Sequence, residues 1–195
     1  AIAAVGEVGD SQRGLEIAGE YTSGGDKVHM CYAFEFLAPE PLTPTFVRAV
    51  QEKFDRVAAD GWACWAFSNH DVVRHISRWG TGVSDHVAHG RMLASLLMTL
   101  RGSVCIYQGE ELGLEEADIA YEDLQDPYGI QFWPDFKGRD GCRTPMVWSG
   151  QLKDGGFSEA KPWLPVAPAH LAHAVNLEEA DPASLLHHYR AFLAF

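Results

Sequence analysis

Short, unbroken apolar runs alternate with longer amphipathic stretches along this chain. HMCYAFEF (29–36), WACWAF (62–67) and SVCIYQ (103–108) are rich in aromatic and β-branched residues, and AIAAVGE opens the chain with a further short run. Runs of this kind, without polar alternation, predict strands covered on both faces, as in a parallel sheet. Helical patterns lie between them. Thr43-Pro44 supplies an N-cap and a first-turn proline, Phe46, Val47, Val50, Phe54 and Val57 follow at helical spacing, and Asp60-Gly61 closes the segment. Residues 85–101 set Met92, Leu93, Leu96, Leu97 and Leu100 on one broad face.

The pattern changes beyond the fourth run. Residues 109–168 are rich in Gly, Pro, Asp and aromatics and carry little periodicity, which predicts a long ordered loop of the functional kind. Helix returns from about Glu178 to Phe195, started by Asp181-Pro182 and striped by Leu185, Leu186, Tyr189, Phe192 and Leu193. Strands alternating with helices make this an α/β chain of βα units around a parallel sheet. A closed (β/α)8 barrel needs about 250 residues, so the expectation is either a small open sheet or part of a barrel.

If the strands are parallel, their C-terminal ends share one face, where α/β sites collect. The residues there are Gly6-Glu7-Val8-Gly9-Asp10, Phe34-Glu35-Phe36, Asn69-His70-Asp71 and Gln108-Gly109-Glu110-Glu111. A carboxylate follows every strand. That chemistry repels phosphate and suits sugar hydroxyls or positive charge developing on carbon.

Composition narrows the partners. With 47% hydrophobic residues and a formal charge of −12 over 195 residues, the chain is folded rather than disordered and is a poor match for nucleic acid or an anionic membrane. No apolar run approaches the roughly 20 residues that span a bilayer. Cys31, Cys64 and Cys105 sit inside apolar segments and read as small buried hydrophobes, which points to a reducing cytoplasm. The pairs His86/His89 and His170/His173 have metal-compatible spacing but no third ligand, so no metal and no cofactor is expected. Trp133, Trp148 and Trp163 are either sugar platforms or pins for the long loop.

Several motifs together carry a family resemblance. FSNHD on the third strand, SVCIYQGEELG after the helix over 85–101, and GRDGCRTPMVW (138–148) resemble the α-amylase superfamily, glycoside hydrolase family 13, in its α-glucosidase and oligo-1,6-glucosidase branch. The opening AVGEVGD is similar to that family's acid/base segment, and KPWLPV (161–166) fits the loop that follows. The resemblance implies that Glu7 is the general acid/base and that Asp71 is the carboxylate gripping the sugar in the cleavage subsite. It implies that His70 and Arg143 contact the substrate, with Asp140 and Arg139 as candidates for loop structure or the neighbouring subsite.

The family is retaining and needs a nucleophilic aspartate on the strand before the acid/base. Only AIAAVG precedes Glu7 here. The resemblance therefore implies a partial (β/α)8 TIM barrel: strands 5 to 8 with their helices and a long loop after strand 8. Residues 1–195 would form the C-terminal half of a glycoside hydrolase barrel, inactive alone, with an oligosaccharide as the parent's substrate. Two cut sheet edges predict self-association. A transglucosidase or isomerase of the trehalose or sucrose type, and a non-catalytic binding or transporter-partner module, are the alternatives.

Overall fold

The computed structural model describes residues 2–10, 12–58 and 60–195, so Ala1 of the opening run lies outside the described residues. In chain order the elements are strand β1 (Val5–Glu7), helix α1 (Gly14–Thr22), strand β2 (Met30–Ala33), helix α2 (Pro44–Val57), strand β3 (Ala63–Trp65), helix α3 (His75–Arg78), helix α4 (His86–Thr99) and strand β4 (Ser103–Val104). Helices α5 (Pro127–Gln131), α6 (Val175–Ala180) and α7 (Leu185–Ala194) follow. The chain divides into two compact units, residues 1–67 with 96–106, and residues 68–95 with 107–195.

The first unit holds the sheet. All pairings are parallel and the strand order is β1-β2-β3-β4, each strand beside its chain neighbour. Glu7 closes β1 opposite Tyr32, and Trp65 of β3 sits opposite Val104. The side chains of Phe36, Phe54, Trp65 and Phe67 form the core, with Phe36 and Phe54 each 5.4 Å from the Trp65 ring. Truncating a ring so placed typically costs about 3–5 kcal/mol. The Trp65 indole N–H donates to the Arg101 carbonyl at 2.8 Å, so the ring is held at both its apolar body and its polar tip. Gly102 makes the turn into β4 with φ +143°, and a Cβ there would come within 2.6 Å of the Ala63 oxygen, so only glycine fits.

The helices form for reasons visible in their ends. Thr43 caps α2 by accepting the Phe46 N–H at 3.1 Å, with Pro44 in the first turn, and Val50 and Phe54 face inward. Helix α1 packs close to the end of α2 because Gly19 lacks a Cβ, which would otherwise lie 2.6 Å from that of Ala58.

The second unit has a core of Leu112, Leu114, Val147, Ala174 and Leu186. The long loop is ordered by short helical turns at Glu110–Leu112, Tyr121–Asp123, Asp140–Cys142 and Lys153–Gly156 together with α5. Gly90 admits Leu185, whose Cδ2 would be 2.8 Å from any added Cβ.

Several details differ from the sequence expectation: of the run 103–108 only Ser103–Val104 pairs as a strand and it is half-buried, and β1 is largely exposed, so neither is covered on both faces. β2 stops at Ala33, and Glu35 belongs to a single helical turn, Glu35–Leu37, instead of ending the strand. The last helix starts at Leu185 behind the cap Ser184, which accepts the His187 N–H, and not at Asp181-Pro182. Cys105 is exposed, just past the edge strand β4, while Cys31, Cys64 and Cys142 are buried; all four are thiols.

Candidate functional site

The stretch after β3 explains why a buried strand is followed at once by polar residues. Ser68 and Asn69 are buried and bond within their own segment. Ser68 Oγ accepts the His75 N–H at 2.8 Å and lies 3.0 Å from His75 Nδ1, closing the loop on itself. Asn69 Oδ1 accepts the Asp71 N–H at 2.8 Å, an Asx turn that fixes the direction of the next carboxylate. His70 and Asp71 are then left at the surface, their side chains 68% and 45% exposed. Asp71 does not cap α3, whose first N–H goes to Ser68.

Asp71 is met by two arginines from the long loop. Arg139 Nη1 and Arg143 Nη2 both donate to the same oxygen, Oδ1, at 2.9 and 3.0 Å. The other oxygen, Oδ2, lies 3.5 Å from His70 Nε2. Arg143 Nε also donates to the His70 carbonyl at 2.7 Å, so its fork clasps the His70-Asp71 pair from backbone and side chain together. One carboxylate oxygen is thus committed to the protein, while its twin and the imidazole face the surface. Such a pair suits neighbouring hydroxyls of a sugar ring.

Behind this cluster lies Arg74, whose guanidinium is buried. It donates to the carbonyls of Gln108 at 2.7 Å and Cys142 at 2.9 Å, and stands 5.3 Å over the Tyr107 ring. The Arg74 N–H donates to Glu116 Oε2, and the Tyr107 hydroxyl donates to the Cys142 carbonyl at 3.0 Å. Burial pulls the Arg74 guanidinium below its ordinary pKa and pushes the Glu116 carboxyl up, while the Cys142 thiol is driven up to about 12, chiefly by burial.

Arg139 has a second partner that sequence reasoning missed. Its Nε and Nη2 fork onto Asp126 at 2.9 and 3.0 Å, and Asp126 is wholly buried. The Arg139 side-chain bonds hold the Asp126 carboxyl well below the usual carboxylate range. Asp126-Pro127 is a cap-and-proline helix signal, and Asp126 does cap α5 by accepting the Tyr128 N–H. Asp140 is also wholly buried, and its Oδ2 accepts the N–H groups of Gln125 and Asp126 at 2.7 and 2.8 Å. That is a position in loop structure, without access to the surface.

The remaining candidates are distributed as follows. Glu7 is an exposed residue at the C-terminal end of β1, in the first unit. Glu111 accepts the Gly109 N–H at 2.9 Å, whereas Glu110 is buried 3.7 Å from His75 Nδ1. His86 pairs with Glu115 at 3.0 Å, and His170 is buried with Nε2 at 2.8 Å from the Glu115 carbonyl. Among the described residues, no three His, Cys, Asp or Glu side chains gather as a metal site requires. Trp148 and Trp163 are exposed, and Trp133 packs on Tyr121 with ring centres 5.5 Å apart. No helix among the described residues is long and apolar enough to cross a membrane.

Comparison with known proteins gives the family. The alpha amylase catalytic domain family matches residues 2–195. A probable alpha-glucosidase of Rhizobium meliloti (strain 1021) is 76% identical over 195 residues, covering 100% of this chain and 35% of that protein. An oligo-1,6-glucosidase of Halalkalibacterium halodurans is 30% identical over 210 residues, covering 92% of this chain and 37% of that protein. Among solved structures, the alpha-glucosyl transfer enzyme XgtA matches with 49% identity and a TM-score of 0.90, over 98% of this chain and 35% of that one. The chain spans little more than a third of the length of these relatives. With its NHD segment, its arginine-bearing loop and its parallel sheet, this chain belongs to the alpha-amylase catalytic-domain family, among proteins similar to α-glucosidases.

Proposed function

We propose that this chain contributes strands 5 to 8 and the substrate-holding loop of a (β/α)8 barrel in a retaining α-glucosidase, which cleaves the terminal α-glucosidic bond of short oligosaccharides. The observation that carries the reading is the convergence of Arg139 and Arg143 on one oxygen of Asp71, beside His70, at an exposed rim. A carboxylate so anchored holds the hydroxyls of a ring that flattens toward an oxocarbenium ion, and the interaction strengthens as positive charge develops.

In this reading Glu7 protonates the leaving oxygen and then deprotonates the attacking water, so both half-reactions use one carboxyl in two protonation states. His70 and Arg143 orient the ring with Asp71. Asp140 serves this site through the loop it holds. Residues 1–6, ahead of Glu7, hold no aspartate, and this reading assigns no nucleophile among the residues of this chain. An enzyme of this kind needs no cofactor, and its four thiols suit a cytoplasmic protein.

The alternative reading is transfer of the glucosyl unit to another sugar or alcohol in place of water. It is supported by the 49% identity to an alpha-glucosyl transfer enzyme. A non-catalytic module is disfavoured by the presence of both Glu7 and Asp71.

The test is leaving-group dependence in the enzyme that carries this chain. Glu7→Gln is expected to lower kcat on maltose about 10³-fold while sparing α-glucosyl fluoride, whose leaving group needs no proton. Equal losses on both substrates would remove Glu7 from the acid role. Product analysis with an added acceptor separates hydrolysis from transfer.

A further inference from the structure

We propose that Asp126, which touches no substrate, is a positioning residue that fixes Asp71 through Arg139; the claim rests on the glucosidase reading above. Arg139 divides its donors between two carboxylates, with Nε and Nη2 on Asp126 and Nη1 on Asp71. Two donors on one carboxylate set the plane of the guanidinium, and the plane sets where Nη1 points. Without that fork, a long and partly exposed arginine has many rotamers, and its bond to the surface carboxylate is one option among several.

Asp126 is itself fixed. Its Oδ2 accepts the Arg139 N–H at 2.8 Å as well as the Arg139 side chain, and its Oδ1 accepts the Tyr128 N–H at 3.3 Å. Its own N–H donates to Asp140 Oδ2 at 2.8 Å. The Tyr128 ring lies 5.4 Å from the Arg139 guanidinium and supports its face. A chain of contacts therefore runs from buried Asp140 through buried Asp126 and Arg139 to exposed Asp71. Arg139 holds the Asp126 pKa below its ordinary value, so Asp126 is ionised at neutral pH and both its oxygens accept. The consequence for Asp71 is that Oδ1 is occupied in a fixed direction and Oδ2 is aimed by elimination. A misplacement of about 1 Å in such a group costs on the order of 10²-fold in rate.

The test uses the whole enzyme carrying this chain. Asp126→Asn turns one acceptor oxygen into an amide donor that faces the guanidinium, breaking the fork while keeping the volume. The expected result is a roughly 10- to 100-fold fall in kcat with KM within about threefold, since Asp71 acts mostly in the transition state. Asp126→Glu, which keeps the charge, is expected to recover part of the loss. Arg139→Lys supplies a point charge that serves one carboxylate only, and Asp126→Asn in that background is expected to cost less than threefold. Additive losses in this cycle, or wild-type kcat in a folded Asp126→Asn enzyme, overturn the proposal. Should Asp126→Asn fail to fold, the partly exposed Arg139→Gln variant decides: unchanged kcat overturns it and a fall of tenfold or more supports it. If the native enzyme cleaves no α-glucoside, the glucosidase reading falls. The positioning claim is then decided separately by a crystal structure of Asp126→Asn: Arg139 keeping its bond to Asp71 overturns it, and a displaced guanidinium supports it.

Discussion

Arg74 Nη2 donates to the carbonyl of Cys142 at 2.9 Å, joining the residue three places after Asp71 to the residue just before Arg143. A buried guanidinium thus fastens the two segments whose side chains meet at the rim. Its other bonds, to the Gln108 carbonyl and from its own N–H to Glu116, bring in the segment that follows β4 and the base of the loop.

Arg74→Ala is therefore expected to be severely destabilising. It leaves the Gln108 carbonyl without its Arg74 partner, removes one of two donors to the Cys142 carbonyl and takes a cation away from the Glu110 and Glu116 carboxylates, for a cost of about 3 kcal/mol or more. In a domain of this size that corresponds to a fall of roughly 6–12 °C in Tm. Calorimetry checks it, and a shift under 2 °C contradicts the network.

Asp71→Asn is expected to lower kcat/KM of the whole enzyme by about 10³-fold and to leave Tm nearly unchanged. Its carboxylate is half exposed, so the folded state loses little when the charge goes. What changes is electrostatic, because Arg139 and Arg143 then place two cations beside the charge that develops on the sugar. Steady-state kinetics with thermal melts separates the two effects.

Acid stability follows from Asp126. Its pKa in the fold lies below the ordinary 3.8, so its stabilisation is present above that value and is lost as pH falls through the folded value. Glu35, Glu111 and Glu116, whose pKa values are raised by burial, act in the opposite sense: their contribution is present below 4.5 and fades as pH rises. Melts at a series of pH values should therefore give a native-minus-Asp126→Asn difference in Tm that shrinks below about pH 4. A difference independent of pH contradicts the assignment.

The isolated 195-residue chain is expected to show no turnover of an aryl α-glucoside and to self-associate through the edges of β1 and β4. Light scattering at rising concentration, with a chromogenic assay on the same sample, checks both. A strictly monomeric protein contradicts the second expectation and measurable hydrolysis the first.

How far the sequence could be read depended on the range of each interaction. The strands and α2 were legible because their signals are local, as with the Thr43-Pro44 start. The His70, Asp71 and Arg143 cluster was legible through motif resemblance. Asp126 was not, because its bond to Arg139 joins two points of an aperiodic loop, and nothing local distinguishes a capping aspartate from one that also clamps an arginine. Arg74 was hidden likewise, since burying a guanidinium depends on carbonyls supplied by distant segments. The last helix was misplaced because two start signals stand close together, and Ser184 won by setting Leu185, Leu186 and Tyr189 into the core. Glu35 was put on a strand because HMCYAFEF stays apolar past Ala33, and composition alone does not mark where pairing ends.

In the sheet order β1-β2-β3-β4, each of β2, β3 and β4 is bonded to the strand translated just before it. Among these four strands, no strand pairs with a partner made much later than itself. As the polypeptide leaves the ribosome, each new strand finds its docking edge already built, so the sheet can grow by addition at one side.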